Sequence, residues 1–137
     1  MGFERFGVVS HVTEGKVAQF VDYLEEGKVM ATRCRRCGTT YFPPRADCSA
    51  CLGDDMEWVE LKGPGRLITY TTAHYGPTGF DQEVPYVLAV AEFPEGVRVF
   101  GRMSRGVAEQ ELRPGMEVKV VPVRLSEGRI AYELQPA

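Results

Sequence analysis

Cys34 to Cys51 reads CRRCGTTYFPPRADCSAC and holds all four cysteines of the 137-residue chain. They fall as Cys34-x2-Cys37 and Cys48-x2-Cys51. Each short turn points its two sulfurs at a common centre, and two such turns can wrap one metal ion. Tetrahedral zinc held by Cys34, Cys37, Cys48 and Cys51 is the predicted outcome, with iron the open alternative in the same sulfur cage. Two disulfides and a Cys-x-x-Cys redox pair are the rival readings. No secretory signal precedes the pairs, which argues against disulfides. The glycine after Cys37 and the closeness of a second pair suit metal-binding knuckles better than a redox site. A four-thiolate zinc has no open position for water or substrate, so it builds structure and does not hydrolyse anything.

Outward from the cysteines, charge is uneven. Residues 31–45 contain Arg33, Arg35, Arg36 and Arg45 and no acid, whereas residues 46–62 contain five acids against Lys62. A small basic face able to hold a few phosphates, beside an acidic edge, is one reading; a solvated charged turn is the other. The whole chain is 44% hydrophobic and 26% charged with net charge −3. That composition fits a globular protein and gives no bulk attraction to polyanions. No apolar run reaches membrane-spanning length, and the first residues carry neither a signal peptide nor a myristoylation pattern, so a cytoplasmic location and no membrane partner are predicted.

On the N-terminal side, residues 1–12 show no period and read as an arm. Residues 13–27 read as a helix capped by Thr13, with Glu14 in its first turn and Gly27 as its left-handed stop. Val17, Phe20, Val21 and Leu24 make one apolar stripe. Phe20, Val21 and Leu24 either cover the chain's own core or dock on a partner subunit. Lys28–Thr32 leads into the first knuckle as a short strand. Tyr41 and Phe42 are expected over the metal site, and Pro43-Pro44 forces an extended path between the knuckles.

On the C-terminal side, residues 57–61 alternate as a half-buried strand, with Trp58 expected to seal the junction between the ribbon and a second module. Five strands then start at Arg66, Tyr86, Val97, Glu117 and Arg129. A short helical piece near Gly106–Leu112 separates the third from the fourth. This order suits a small OB-type barrel. Pro94-Glu95-Gly96 marks a tight hairpin, and Pro122 marks an edge or a bulge. The 76–85 loop, with Phe80, Asp81 and Glu83, belongs to the rim that OB folds use for ligands, and its apolar-beside-acidic character suits a protein or small molecule better than nucleic acid. His11 and His74 stand without a nucleophile. No Ser-His-acid set, phosphate-binding glycine loop or catalytic zinc pattern appears, so independent catalysis is not expected.

Several segments resemble a known family. They are Tyr23-Leu24-x-x-Gly27-Lys28, Arg33-Cys34-x-x-Cys37-Gly38, Phe42-Pro43-Pro44-Arg45 with Cys48-x-x-Cys51, and Trp58. In the barrel they are Gly63-x-Gly65, Tyr70-Thr71, Pro85-Tyr86 and Gly115-Met116-x-Val118. The chain is similar, over about residues 15–135, to the zinc-ribbon/OB-fold proteins that accompany thiolases. The resemblance implies a mainly β chain with an N-terminal α-helix, a rubredoxin-like zinc ribbon and a five-stranded OB-fold barrel. The divisions would be an arm and helix over 1–28, a ribbon over 29–61 and a barrel over 62–137. It implies a non-catalytic partner of a thiolase-like enzyme, with one structural zinc, a barrel that helps enclose a CoA thioester, and a ribbon and helix that dock on the enzyme. β-Ketoacyl-CoA or arylsuccinyl-CoA breakdown and acetoacetyl-CoA formation are the settings it allows. Arg35, Arg36, Phe42, Arg45 and Phe80 are the candidate CoA contacts, through charge-assisted hydrogen bonds and stacking. A nucleic-acid module is the rival, opposed by the acidic balance.

Overall fold

A computed structural model describes residues 5–8, 15–76 and 85–137. The expected cap Thr13, its neighbour Glu14, His11 and the loop residues Phe80, Asp81 and Glu83 lie outside the described residues. Helix α1 spans Gln19–Glu25, shorter than the apolar stripe alone predicts, and no side chain caps its start. Its end is the one expected: Gly27 takes φ +86°. The Gly27 N–H donates to Leu24 O at 3.0 Å and the Lys28 N–H to Tyr23 O at 2.9 Å. That reciprocal pair satisfies the last helical carbonyls and needs a residue free of left-handed strain.

Strands β1 (Met30–Cys34), β2 (Thr40–Tyr41) and β3 (Met56–Glu60) form an antiparallel ribbon sheet in the order β2-β1-β3. Strands β4 (Gly65–Ala73), β5 (Tyr86–Glu92), β6 (Arg98–Arg102), β7 (Glu117–Arg124) and β8 (Ile130–Pro136) form a second sheet in the order β6-β5-β4-β7-β8. The ends of that sheet meet. Met103 bridges Leu134 in parallel, and the Ser104 N–H donates to Leu134 O at 2.8 Å. This closure turns the sheet into the OB barrel.

Alternation fills the barrel. Along β5, Val87, Ala89 and Ala91 are buried while Leu88 and Val90 are only half-buried. Leu112, 2% exposed after a single 3-10 turn at Glu109–Glu111, joins the buried core. The Phe93 N–H reaches Val97 O at 2.9 Å across the Pro94-Glu95-Gly96 turn, with Gly96 at φ +92°. At Gly65 a Cβ would lie 2.8 Å from Glu92 O, so β4 can approach β5 there only as glycine. Strand β7 pairs with β4 only through Glu117 and Val118. Pro122 therefore lies where β7 has β8 as its sole neighbour, an edge that tolerates a missing N–H.

Ribbon, helix and arm share one aromatic seam. Phe42 stacks edge-on against Tyr132 of β8, with ring centroids 5.2 Å apart, and against Phe20 of α1 at 5.9 Å. Phe6 joins from the arm, 6.0 Å from Phe20. The arm is also held by backbone, with the Gly7 N–H donating to Ile130 O at 2.9 Å. Arg5 adds ion pairs to Glu25 and Asp22 of the helix, and Arg124 of β7 reaches Glu25 at 2.9 Å.

One expectation is corrected here. Phe20, Val21 and Leu24 are 2%, 0% and 1% exposed inside the chain's own core, so they are not available to dock on a partner. The flank of β8 and the ribbon together offer the helix more apolar surface than a ribbon alone would. Trp58 packs against Tyr23 at 5.2 Å and ties the ribbon to the helix, while Phe42 and Tyr132 join ribbon to barrel.

Candidate metal centre and barrel groove

The sulfurs of Cys34, Cys37, Cys48 and Cys51 all lie within 4.8 Å of one another. Sγ of Cys34 is 3.5 Å from that of Cys51, and Sγ of Cys37 is 3.4 Å from that of Cys48. A tetrahedral zinc with bonds near 2.3 Å sets its sulfurs about 3.8 Å apart, so the four residues fit that ion. All four cysteines are free of disulfides.

The two knuckles are near copies. In the first, the Gly38 N–H donates to Cys34 O at 2.8 Å and the Cys34 N–H to Thr39 O at 2.9 Å. In the second, the Leu52 N–H donates to Cys48 O at 2.9 Å and the Cys48 N–H to Gly53 O at 2.8 Å. Backbone donors inside these turns also act on the sulfurs. The Cys37 backbone N–H, ahead of burial and the other contacts, leaves the Cys34 thiol below its ordinary range. The Tyr41 hydroxyl, 3.3 Å from Cys48 Sγ, leads the causes that bring Cys48 down to about 6. Cys51 moves the other way, to about 11. The Gly53 N–H lowers it, but Cys34, burial, Cys48 and Cys37 together outweigh that donor. Such a set gives up protons as a cation enters, because metal replaces them.

Tyr41 thus sits over the metal site as expected, and Phe42 does not, being part of the aromatic seam. Two arginines of the basic face are paired within the ribbon. Arg33 pairs with Glu57 at 3.2 Å, and Arg35 with Asp55 at 3.1 Å and Glu57 at 3.6 Å. The guanidinium of Arg45 lies 5.2 Å from the Tyr41 ring centroid. Arg33 and Arg35 thus pair with Glu57 and Asp55, acids that come after them in sequence. Of the candidate CoA contacts, Arg35 is spent on the ribbon's own acids and Phe42 on packing, while Phe80 lies outside the described residues.

Sequence reading missed a groove on the barrel. A cavity of about 280 Å³ is walled by Phe6 and Val8 of the arm, Leu88, Phe100, Val123, Ala131 and Tyr132. It runs into a hollow of about 580 Å³ that adds Ser104, Arg105, Arg124 and Gln135. Val8, Arg102, Val123, Leu125 and Glu133 line both. One end is apolar and the other carries arginines together with Glu133. Phe100 at the groove's wall is 60% exposed, which the alternating pattern of its strand does not announce. His74 is exposed at the end of β4.

Two family models match the chain: the rubredoxin-like zinc ribbon domain of ChsH2 over residues 21–57, and the C-terminal OB-fold domain of ChsH2 over residues 58–123. A DUF35 domain-containing scaffold protein of Methanocaldococcus jannaschii is 35% identical over 100 residues, covering 72% of this chain and 70% of the relative. The chain belongs to the DUF35 family. Another similar protein is the benzoylsuccinyl-CoA thiolase subunit BbsA of Thauera aromatica, 28% identical over 67% of this chain and 62% of that one. The solved Ltp2-ChsH2(DUF35) aldolase superposes with a TM-score of 0.76 at 26% identity, over 92% of this chain and 98% of that one. In this chain a zinc ribbon precedes an OB fold. The two matches meet inside β3, although all of β3 pairs with β1 and so completes the ribbon sheet. No helix among the described residues is long and apolar enough to cross a membrane.

Proposed function

We propose that this DUF35 chain is a non-catalytic accessory subunit of a thiolase-type enzyme, that its zinc is structural, and that its barrel helps enclose the CoA thioester on which the enzyme acts. The carrying observation is the sulfur cage: all four cysteines converge on one centre. A four-sulfur site leaves metal chemistry no open position, so the site holds shape. Relatives named as a scaffold protein and as a thiolase subunit support the same reading.

The thioester part of the reading rests on the groove. CoA has a long pantetheine arm and phosphates, and the groove has an apolar run that ends among Arg102, Arg105 and Arg124. Dispersion and area burial would hold the arm, and guanidinium groups would meet the phosphates.

Co-expression with a thiolase-type protein of the same genome, then a CoA-thioester cleavage assay on each protein alone and on the pair, tests the proposal. Cleavage by the pair and none by this chain alone is expected. A chain that ignores the enzyme and leaves its activity unchanged overturns it. A nucleic-acid module is the second reading, favoured by one observation: Phe100 is exposed between Arg98 and Arg102 on the third barrel strand, where OB folds stack bases. Salt-sensitive binding of single-stranded RNA or DNA would move the assignment there.

A further inference from the structure

One acid of the barrel groove stands alone. Glu133 of β8 is only 8% exposed, and no hydrogen bond or ion pair reaches its carboxylate among the described residues. Its position explains the isolation. Across the sheet it is registered against Val121, and on its own strand Ala131 and Gln135 flank it on the same face. Valine and alanine have no side-chain donor, and Gln135 makes no hydrogen bond to it. A buried carboxylate without a donor is costly, and one that a folded chain keeps calls for a donor from elsewhere. Glu133 is open on one side only. It lines both the cavity of about 280 Å³ and the hollow of about 580 Å³, so it stands at the waist where one runs into the other.

We propose that Glu133 is a binding residue of the groove, its carboxylate accepting a hydrogen bond from an uncharged N–H or O–H of the pantetheine arm where coenzyme A threads the waist. This rests on the thioester reading above. Coenzyme A suits the waist because its middle and its nucleotide end differ chemically. The pantetheine arm carries amide N–H groups and a hydroxyl, all donors, whereas the nucleotide carries phosphates, which a carboxylate repels. The phosphates therefore belong in the hollow that adds Arg105 and Arg124, and the thiol end points toward Phe6 and Phe100. Arg124 keeps donors for a phosphate beside its pair with Glu25, since a guanidinium has several. Glu133 thus sets the direction of the ligand as well as holding it. A hydrogen bond to an ionised acceptor is stronger than a neutral one, and a ligand that lacks the donor leaves the buried charge unpaired.

The test titrates the full zinc-loaded chain by calorimetry with coenzyme A, pantetheine, adenosine 3′,5′-bisphosphate and butylammonium. Wild type, Glu133→Gln and Glu133→Leu are compared, and each is melted. Wild type is expected to bind coenzyme A and pantetheine. Glu133→Leu is expected to bind both at least about tenfold more weakly, to bind the bisphosphate no more weakly than wild type, and to melt no lower, since it removes a buried unpaired charge. Glu133→Gln is expected to fall between, because its carbonyl still accepts but carries no charge. Stability held while pantetheine affinity falls is what a merely structural carboxylate would not produce. If Glu133→Leu melts below wild type, the isosteric Glu133→Gln decides: a loss confined to coenzyme A and pantetheine supports the inference, and unchanged affinity overturns it. Equal binding of coenzyme A by wild type and both variants overturns the inference and leaves the thioester reading standing. Loss of the bisphosphate as severe as the loss of pantetheine overturns it as well. Wild type binding neither coenzyme A nor pantetheine overturns both. Butylammonium bound more tightly than pantetheine, and lost in Glu133→Leu, overturns it in favour of a cation site.

Discussion

The first and second knuckles do the same work on unequal terms. Both bend the chain through a left-handed residue so that two sulfurs converge, and their paired hydrogen bonds agree within a tenth of an ångström. The first uses Gly38, above which an added Cβ would meet nothing within 4 Å. The second uses an exposed leucine. The metal geometry therefore dictates the backbone and leaves the side chain at the bend free to serve something else. Sulfur placement differs too: Cys48 is 1% exposed and takes the Tyr41 hydroxyl, whereas its counterpart Cys34, equally buried, leans on backbone donors first.

If the knuckles are two halves of one cage, breaking either must collapse both. Chelation, or Cys48→Ser, is expected to remove the zinc and unfold residues of the ribbon, the largest effect of all, seen as lost metal by elemental analysis and lost protection of β1 amides in hydrogen exchange. Cys37→Ser should do the same despite its exposure. A ribbon that stayed folded without metal would show the cage to be dispensable.

The next effect asks whether the cage stands alone. Phe20→Ala opens the seam between ribbon, helix and barrel and should cost about 3–5 kcal/mol in urea unfolding. A loss near zero would mean that ribbon and barrel are stable separately.

Smaller effects sharpen the difference between the bends. Gly38→Leu should destabilise by about 1–2 kcal/mol through backbone strain alone, because the space above Gly38 is open. Leu52→Gly should move stability the other way by about 0.5–1 kcal/mol, relief of strain less the added freedom of the unfolded chain. Equal signs for the two would end the comparison.

The smallest effect lies away from both knuckles. Arg5, foremost, and Arg124 hold the Glu25 carboxyl below its ordinary value of 4.5. A depressed carboxyl contributes stability that is complete above its unfolded value and is lost as pH falls through the folded one. The advantage of wild type over Glu25→Gln should therefore be full at about pH 7, begin to fall near the ordinary value of 4.5 and vanish once pH drops below the depressed folded value. Urea titrations at three pH values check this.

Much of the fold was legible because its signals are local. Cysteine spacing, the Gly27 stop, the Pro94-Glu95-Gly96 turn and the edge position of Pro122 each reflect what one or two residues permit. The candidate site was legible only in its sulfur half. Arg33 and Arg35 read as a basic face, yet their acids, Glu57 and Asp55, lie 24 and 20 residues away and meet them only when β1 and β3 pair. The groove escaped notice because Phe6, Phe100 and Tyr132 come from three distant segments.

Spacing within eighteen residues was enough to announce four sulfurs around one ion, since short turns leave thiols few other directions. Alternation was enough to announce strands. Which apolar face meets which could not be read from pattern, because a stripe such as Phe20-Val21-Leu24 looks the same whether it covers its own barrel or a stranger's. Only the closed packing of Phe42, Phe20 and Tyr132 assigned it, for burial is a property of what arrives from elsewhere in the chain.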